Sequence, residues 1–175
     1  TRINNPTVES FEKRVTMLED GIGSVACASG MAALTNAFLN ILQAGDEIVA
    51  ACGLYGGTVE LFDDLKPFGI SVKYVKENKP EAFEAEITEK TRIVFAETIG
   101  NPKLDVTDIQ AVAEVAHKYD VPLIVDNTVA TPYLIQPLKL GANIVVHSSS
   151  KYINGSSDAI SGILVCGKDL KWDPD

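Results

Sequence analysis

The chain has 175 residues and a formal net charge of -9, with 46% hydrophobic and 22% charged residues. This composition is typical of one globular domain with an apolar core and argues against disorder or a coiled coil. The negative charge argues against nucleic acid or an anionic membrane as a partner, because both require a surplus of lysine and arginine on one face. A small molecule is therefore the expected ligand.

The cysteines Cys27, Cys52 and Cys166 lie in apolar, strand-like runs without metal-type spacing. We expect buried core thiols in a reducing, cytoplasmic compartment. The sequence shows no signal peptide and no apolar run long enough to span a bilayer. Because the chain starts at Thr1 without an initiator methionine, we expect a processed chain or a piece of a longer one.

Hydrophobic periodicity predicts alternating helices and strands from the start of the chain. Asn5-Pro6-Thr7 is a helix-entry signal, and apolar residues then recur at helical spacing up to Leu18, before Gly21. Residues 24–28 are predicted as a strand that turns at Ser29-Gly30-Met31 into a second helix, ended by Gly45. The free N–H groups at the start of this helix predict an anion site, although a strand-to-helix turn with a glycine is more often only a turn.

The next strand, residues 47–52, precedes a glycine-rich loop that carries Tyr55. Tyr55 is a candidate pocket residue, and the alternative is a loop tyrosine whose ring packs on the surface. A helix is predicted over 59–66 and a strand over 71–75. The acidic, weakly helical stretch 77–88 is interpreted as a solvated face.

A strand over 91–97 leads to a loop in which Asn101 is placed to hydrogen-bond a ligand, although Asn before Pro is more often a plain turn. Thr107 and Gln110 have capping-box spacing, which predicts the start of a helix that runs to Tyr119. His117 lies on this helix and is assigned to the surface or to packing. The apolar strand 122–125 stops at Asp126, and a carboxylate there requires a partner.

The apolar run 143–146 ends in His147 and a cluster of hydroxyls, followed by Lys151. Ligands collect beyond the carboxyl ends of parallel strands, so Ser148, Ser150 and Lys151 are predicted to face one pocket. A last strand covers 161–166. About seven strands alternating with helices predict an α/β fold: a three-layer α/β/α arrangement around a mostly parallel sheet.

The candidate residues supply the three groups that pyridoxal phosphate requires. The cofactor needs an amine for its aldehyde, a carboxylate for its ring nitrogen and an anion site for its phosphate. The sequence contains no GxGxxG, Walker A or HExxH motif, which argues against the commonest nucleotide and zinc sites. The candidates are Gly30, Met31, Tyr55, Asp126, Ser148, Ser150 and Lys151.

At these residues the sequence resembles the Cys/Met-metabolism pyridoxal-phosphate enzymes, or trans-sulfuration enzymes, which share the large domain of the aspartate-aminotransferase fold (fold type I). The resemblance covers essentially all 175 residues and rests on the stretches RINNPT (2–7), ASGMAA (28–33), LYGGT (54–58), VDNT (125–128) and HSSSKY (147–152). It implies that Lys151 forms a Schiff base with the cofactor and that Asp126 pairs with the pyridinium nitrogen. It also implies that Tyr55 stacks on the ring and helps proton transfer.

The same resemblance assigns the remaining contacts of the cofactor. Gly30, Met31, Ser148 and Ser150 would hold the phosphate, and Asn101 would lie near the ring hydroxyl and the substrate carboxylate. Arg2 would reach the phosphate in a neighbouring subunit, because family members build each site across the interface of a homo-oligomer, a dimer or a dimer of dimers.

Within the family, the loop ETIGNPK at 97–103 looks most like that of O-acetylhomoserine sulfhydrylases. This implies γ-replacement on O-acetyl-L-homoserine, in which acetate leaves Cγ and sulfide or a thiol adds, to give homocysteine or methionine. Lys151 would shuttle protons, since a desolvated amine titrates low enough to act as a base. Methionine γ-lyase and cystathionine γ-synthase or lyase activities are the alternatives.

A function of another class stays open. The resemblance implies that residues 1–175 correspond to the large, pyridoxal-phosphate-binding domain, without the C-terminal small domain whose arginine binds the substrate carboxylate in family members. The alternative is therefore a catalytically inactive α/β fragment that packs on a partner, because fold does not guarantee function.

Overall fold

Helices and strands alternate along residues 4–168, which are the residues that the computed structural model describes. The helices are α1 (Pro6–Glu19), α2 (Gly30–Leu39), α3 (Gly56–Leu65), α4 (Pro80–Glu86), α5 (Ile109–Lys118) and the single turn α6 (Thr131–Leu134). The strands are β1 (Gly23–Cys27), β2 (Glu47–Ala50), β3 (Ser71–Tyr74), β4 (Thr91–Glu97), β5 (Leu123–Asp126), β6 (Ile144–His147) and β7 (Gly162–Cys166).

The strands form one sheet in the order β1-β7-β6-β5-β4-β2-β3. Strands β6, β5, β4, β2 and β3 are parallel to one another, and β7 runs antiparallel to both β6 and β1. Every residue of β2 and β6 is buried, as expected of parallel strands covered by helices on both faces. The predicted three-layer, mostly parallel architecture is confirmed.

Three phenylalanines fill the core between α2, α3 and the sheet. Phe38, Phe62 and Phe95 are fully buried, and their ring centroids lie 5.4 to 5.7 Å apart. Tilted and edge-to-face rings at this separation contribute about 0.5–1.5 kcal/mol per pair beyond the area they bury. This cluster packs α2 and α3 against the carboxyl-terminal half of β4.

The entry signal of α1 acts as predicted, because the Asn5 side chain accepts hydrogen bonds from the N–H groups of Thr7 and Val8. Helix α1 ends one residue before Asp20, which adopts a left-handed conformation with φ 59°. Helix α2 is shorter than predicted, since the N–H groups of Ile41 and Leu42 both turn back to the carbonyl of Phe38.

The capping-box prediction for α5 is wrong. The cap is Asp108, whose carboxylate accepts the N–H of Ala111 at 3.1 Å. The Thr107 hydroxyl is unavailable because it donates to the carbonyl of Glu97 at 2.8 Å. His117 lies on the surface, one of the two positions expected, with its Nε2 2.9 Å from Oδ1 of Asn143.

Two other expectations about burial need correction. The three cysteines are half-buried, because Cys27 and Cys166 lie on the antiparallel strands at the edge of the sheet and Cys52 follows the end of β2. Burial raises the pKa of the Cys166 thiol. The acidic stretch 77–88 is not only a solvated face, since it forms α4 and places Phe83 fully in the core.

No helix within residues 4–168 is long and apolar enough to cross a membrane.

Candidate active site

A cavity of about 500 Å³ opens beyond the carboxyl ends of β4, β5 and β6, next to the first turn of α2. Parallel α/β sheets collect their ligands at this edge. The cavity brings together all the predicted site residues that lie within 4–168: Gly30, Met31, Tyr55, Asn101, Asp126, Ser148, Ser150 and Lys151. Arg2 lies outside the described residues, so its predicted contact with a neighbouring subunit stays a prediction.

The anion cradle forms where α2 begins. Ser29 caps the helix by accepting the N–H of Ala32 at 3.1 Å, and the preceding N–H groups of the first turn have no intrahelical acceptor. A side chain at Gly30 would place its Cβ 2.6 Å from Cβ of Ser148. The glycine therefore serves close packing: it lets the hydroxyl of Ser148 reach the start of the helix.

Ser150 lies at the edge of the cradle and is held by the residue before β7. Its Oγ accepts the N–H of Ser161 at 2.9 Å and donates to the Ser161 carbonyl at 3.0 Å. The neighbouring hydroxyl of Ser149 pairs with that of Ser161 at 2.8 Å. Ser150 thus has a fixed position, and its proton is shared with a backbone carbonyl.

Asp126 occupies the end of β5, half-buried at the cavity wall. The pKa of its carboxyl group is raised, because the effect of burial outweighs the lowering effect of the hydrogen bonds from Thr128. The N–H of Thr128 donates to Oδ1 of Asp126 at 2.9 Å, while the Thr128 hydroxyl accepts the N–H of Ser148 at 2.8 Å. Thr128 therefore links the Asp126 carboxylate to Ser148, which faces the first turn of α2.

Glu97 is a cavity residue that sequence reasoning missed. It ends β4 directly beside Asp126 in the parallel register. Its two carboxyl oxygens accept the backbone N–H groups of Tyr55 at 2.7 Å and of Asn101 at 3.3 Å. Burial raises the pKa of Glu97 to about 7, and the neighbouring charge of Asp126 raises it as well.

The strand-end rule that selected Asp126 would also have selected Glu97. Thr128 belongs to a stretch that carries the family resemblance, but the sequence predicts no role for its side chain. Its sequence position alone gives no sign that the hydroxyl turns toward the next strand.

The ring of Tyr55 lies over the glycines that begin α3, beside Met31. A Cβ at Gly57 would come within 2.7 Å of Cε1 of Tyr55 and 3.4 Å of Sδ of Met31. Tyr55 is 47% exposed, with its ring at the cavity wall. This position suits a ring that stacks on a flat ligand.

Lys151 stands at the opening of the cavity, in the turn that follows β6. Its N–H donates to the carbonyl of Ser148 at 3.1 Å, and its carbonyl accepts the N–H of Gly155 at 2.8 Å. The side chain is exposed. The desolvation expected for a proton-shuttling amine is therefore not supplied by residues 4–168.

The residues present fit pyridoxal phosphate. An amine, a half-buried carboxylate and an anion cradle lie around one cavity, and these are the three groups that the cofactor requires. Together with a mostly parallel seven-stranded sheet, they define the class of pyridoxal-phosphate-dependent enzymes of fold type I. Residues 1–174 match the family described as Cys/Met metabolism PLP-dependent enzyme, and the chain belongs to that family.

Comparison with known proteins agrees with this assignment. O-acetyl-L-homoserine sulfhydrylase of Leptospira meyeri is 49% identical over 173 residues, which are 98% of this chain and 39% of that protein. L-methionine gamma-lyase of Fusobacterium nucleatum subsp. polymorphum is 43% identical over 172 residues, 97% of this chain and 44% of that protein. The chain thus spans about two fifths of the length of the curated relatives it matches.

A solved structure shows the same fold. A putative O-acetylhomoserine (thiol)-lyase of Campylobacter jejuni superposes with a TM-score of 0.93 at 38% identity, over 97% of this chain and 42% of that one. That structure contains N'-pyridoxyl-lysine-5'-monophosphate, in which the cofactor is joined to a lysine.

Proposed function

We propose that residues 1–175 form the cofactor-binding large domain of an enzyme that catalyses γ-replacement on O-acetyl-L-homoserine. Sulfide as the nucleophile gives homocysteine and acetate, and methanethiol gives methionine and acetate. The observation that carries the proposal is that Lys151 and Asp126 border the same cavity as the anion cradle of α2. The likeness to the sulfhydrylase of Leptospira meyeri supports the choice of substrate.

Bound pyridoxal phosphate supplies an aldehyde for the substrate amine and a ring that withdraws electrons from the substrate's Cα. Asp126 pairs with the ring nitrogen and keeps it protonated. Thr128 assists, because its hydrogen bond to Asp126 favours the charged carboxylate against the effect of burial.

The phosphate binds at the first turn of α2. The N–H groups of Gly30 and Met31 point to an anion there, and the helix dipole favours negative charge. Ser148 and Ser150 donate hydroxyl hydrogen bonds from the facing loop, which for Ser150 requires exchange of its bond to the carbonyl of Ser161.

Lys151 moves the protons. Its amine removes a proton from Cα and then a proton from Cβ of the substrate, and acetate leaves Cγ with the electrons of the broken C–O bond. Hydrosulfide then forms a bond to Cγ, and the two protons return to Cβ and Cα. Tyr55 covers the ring and assists proton transfer, and Asn101 binds near the ring hydroxyl and the substrate carboxylate.

The complete site belongs to a homo-oligomer, a dimer or a dimer of dimers, in the cytoplasm. In this assembly Arg2 of one subunit reaches the phosphate bound by its neighbour. The net charge of -9 supports a small, zwitterionic substrate over a polyanionic partner.

The test is a visible absorption spectrum of the protein with added pyridoxal phosphate, followed by an assay with O-acetyl-L-homoserine and sulfide. Wild type is expected to show the band of the lysine-bound cofactor and to form homocysteine. Lys151→Ala should lose both. Lys118→Ala, which removes an exposed lysine of α5, is the matched control and should retain both. A wild type that shows no band with excess cofactor would sink the proposal.

A second candidate function is γ-elimination from methionine, which is supported by the 43% identity to the L-methionine gamma-lyase. Methionine and water would then give methanethiol, 2-oxobutanoate and ammonia. Incubation with methionine without any added thiol separates the two. Rapid 2-oxobutanoate formation there, with slow homocysteine formation from O-acetyl-L-homoserine and sulfide, would favour the lyase.

A further inference from the structure

Three fully buried polar side chains meet behind the candidate active site. Oε1 of Glu19, the last residue of α1, accepts a hydrogen bond from Nδ2 of Asn127 at 2.9 Å. The same oxygen lies 2.6 Å from Nε2 of His147. These three residues, here called the Glu19 network, are all 0% exposed and are separated by at least 20 positions along the chain.

Each partner of Glu19 is the chain neighbour of a residue that lines the cavity. Asn127 follows Asp126, and His147 precedes Ser148. Successive side chains of an extended backbone point to opposite sides. The Glu19 network therefore lies on the far side of the two strand ends from the cavity.

The network also joins the strand ends to each other. The N–H of Asn127 donates to the carbonyl of Val146 at 2.9 Å, and Nδ2 of Asn127 donates a second bond to the carbonyl of Ile135 at 3.0 Å. Glu19 thus clamps the end of β5 to the end of β6 from behind. A shift of either end would move the ring-nitrogen partner relative to the phosphate cradle and Lys151.

Stability alone does not account for this arrangement. Buried ion pairs can often be replaced by apolar residues of similar volume with no loss of stability, because desolvation offsets their attraction. Moreover, Oε2 of Glu19, Oδ1 of Asn127 and Nδ1 of His147 are buried and have no hydrogen-bond partner among the described residues. What the network does supply is direction, since a hydrogen-bonded carboxylate fixes its partners at defined angles.

We propose that Glu19, Asn127 and His147 are positioning residues for the cofactor site, which hold the Asp126 carboxylate and the Ser148–Lys151 turn in register. This inference rests on the proposed cofactor site. It assigns the end of α1 a task in cofactor binding, although within residues 4–168 the hydrogen bonds of the Glu19 side chain go to Asn127 and His147, which do not line the cavity.

The experiment compares Glu19→Leu, His147→Leu and Glu19→Gln in the protein reconstituted with pyridoxal phosphate. The readouts are the dissociation constant of the cofactor and its visible circular dichroism, both measured well below the unfolding temperature of each cofactor-free variant. Both leucine variants should weaken cofactor binding at least tenfold and change the dichroic band. Glu19→Gln retains an acceptor for Asn127 and His147 and should stay within threefold of wild type.

Glu47→Leu is the matched control. Glu47 is also a buried carboxylate, and it accepts hydrogen bonds from the hydroxyls of Thr88 and Thr91, both at 2.9 Å. It is the first residue of β2 and therefore lies at the amino-terminal end of the parallel strands, whereas the cavity lies beyond their carboxyl ends. This variant should lose stability and bind the cofactor within twofold of wild type.

Two results would overturn the inference: leucine variants that resemble Glu47→Leu in affinity and dichroism, or leucine variants that both fail to fold, which would assign the network to folding alone. A wild type that binds no cofactor would instead refute the proposed function itself.

Discussion

Glu97 gives the sharpest prediction, because its replacement by glutamine should change how stability depends on pH. In the folded protein the pKa of Glu97 is raised from 4.5 to about 7, chiefly by burial. At 1.36 kcal/mol for each pKa unit, this difference corresponds to about 3 kcal/mol. Glu97 is only 6% exposed, so solvent screening reduces this figure little.

The sign follows from proton linkage. The raised pKa means that between pH 4.5 and pH 7 the folded protein retains a proton that the unfolded chain has lost. The contribution of Glu97 to the free energy of unfolding therefore falls as pH rises through this window, and it is level on either side. Glutamine does not titrate. The unfolding free energy of Glu97→Gln minus that of wild type should therefore increase by about 3 kcal/mol as the pH rises from 4.5 to 7.

The assay is urea unfolding of the cofactor-free wild type and variant from pH 4 to pH 8. The quantity compared is the difference between their unfolding free energies. Glu60→Gln, at an exposed position of α3, corrects for the general effect of removing one negative charge. If the difference between wild type and Glu97→Gln does not vary with pH, the buried, proton-binding state of Glu97 is refuted.

Three further substitutions test the site and the core. Gly30→Ala would place a Cβ 2.6 Å from that of Ser148. We therefore expect cofactor binding to weaken and the unfolding free energy measured in urea to fall by about 1–3 kcal/mol. The control is Gly23→Ala, whose Cβ would have no atom within 4 Å and which should leave cofactor binding unchanged. Thr128→Val removes the acceptor for the N–H of Ser148 and should weaken cofactor binding by spectral titration, while Thr128→Ser restores it; equal affinities would contradict the link between the two strand ends. Phe38→Ala opens the aromatic cluster and should lower the unfolding free energy by about 3–5 kcal/mol, and a loss below 1 kcal/mol would contradict the packing.

The sheet could be predicted from the sequence because its strands are short apolar runs bounded by turn residues. Strand β4 has the predicted bounds, and β6 ends at His147 just before the hydroxyl cluster. The ends of the helices were harder to predict from the sequence. Thr107 and Asp108 are both good caps, and the outcome depended on the carbonyl of Glu97, which only the folded chain brings to Thr107.

The candidate site could be predicted where its residues follow strands. Asp126 comes directly after one apolar run and Lys151 follows another after His147 and three serines, and parallel strands bring such positions together beyond their carboxyl ends. What the sequence could not show is which polar groups pair with each other. The contact of Ser150 with Ser161 depends on the position of the antiparallel strand β7, and the close packing of Gly30 against Ser148 depends on how α2 lies against the end of β6.

Glu19 illustrates the limit most clearly. It follows Val15 by four residues, so both lie on one face of α1, and a charge at such a position is usually the solvated rim of the helix. Its burial is explained by its hydrogen-bond partners Asn127 and His147, which lie more than 100 residues away in the sequence. A buried carboxylate is costly without partners, so Glu19, Asn127 and His147 depend on one another. Because they meet directly behind the cofactor site, the proposed function of this dependence is to hold the site residues in position.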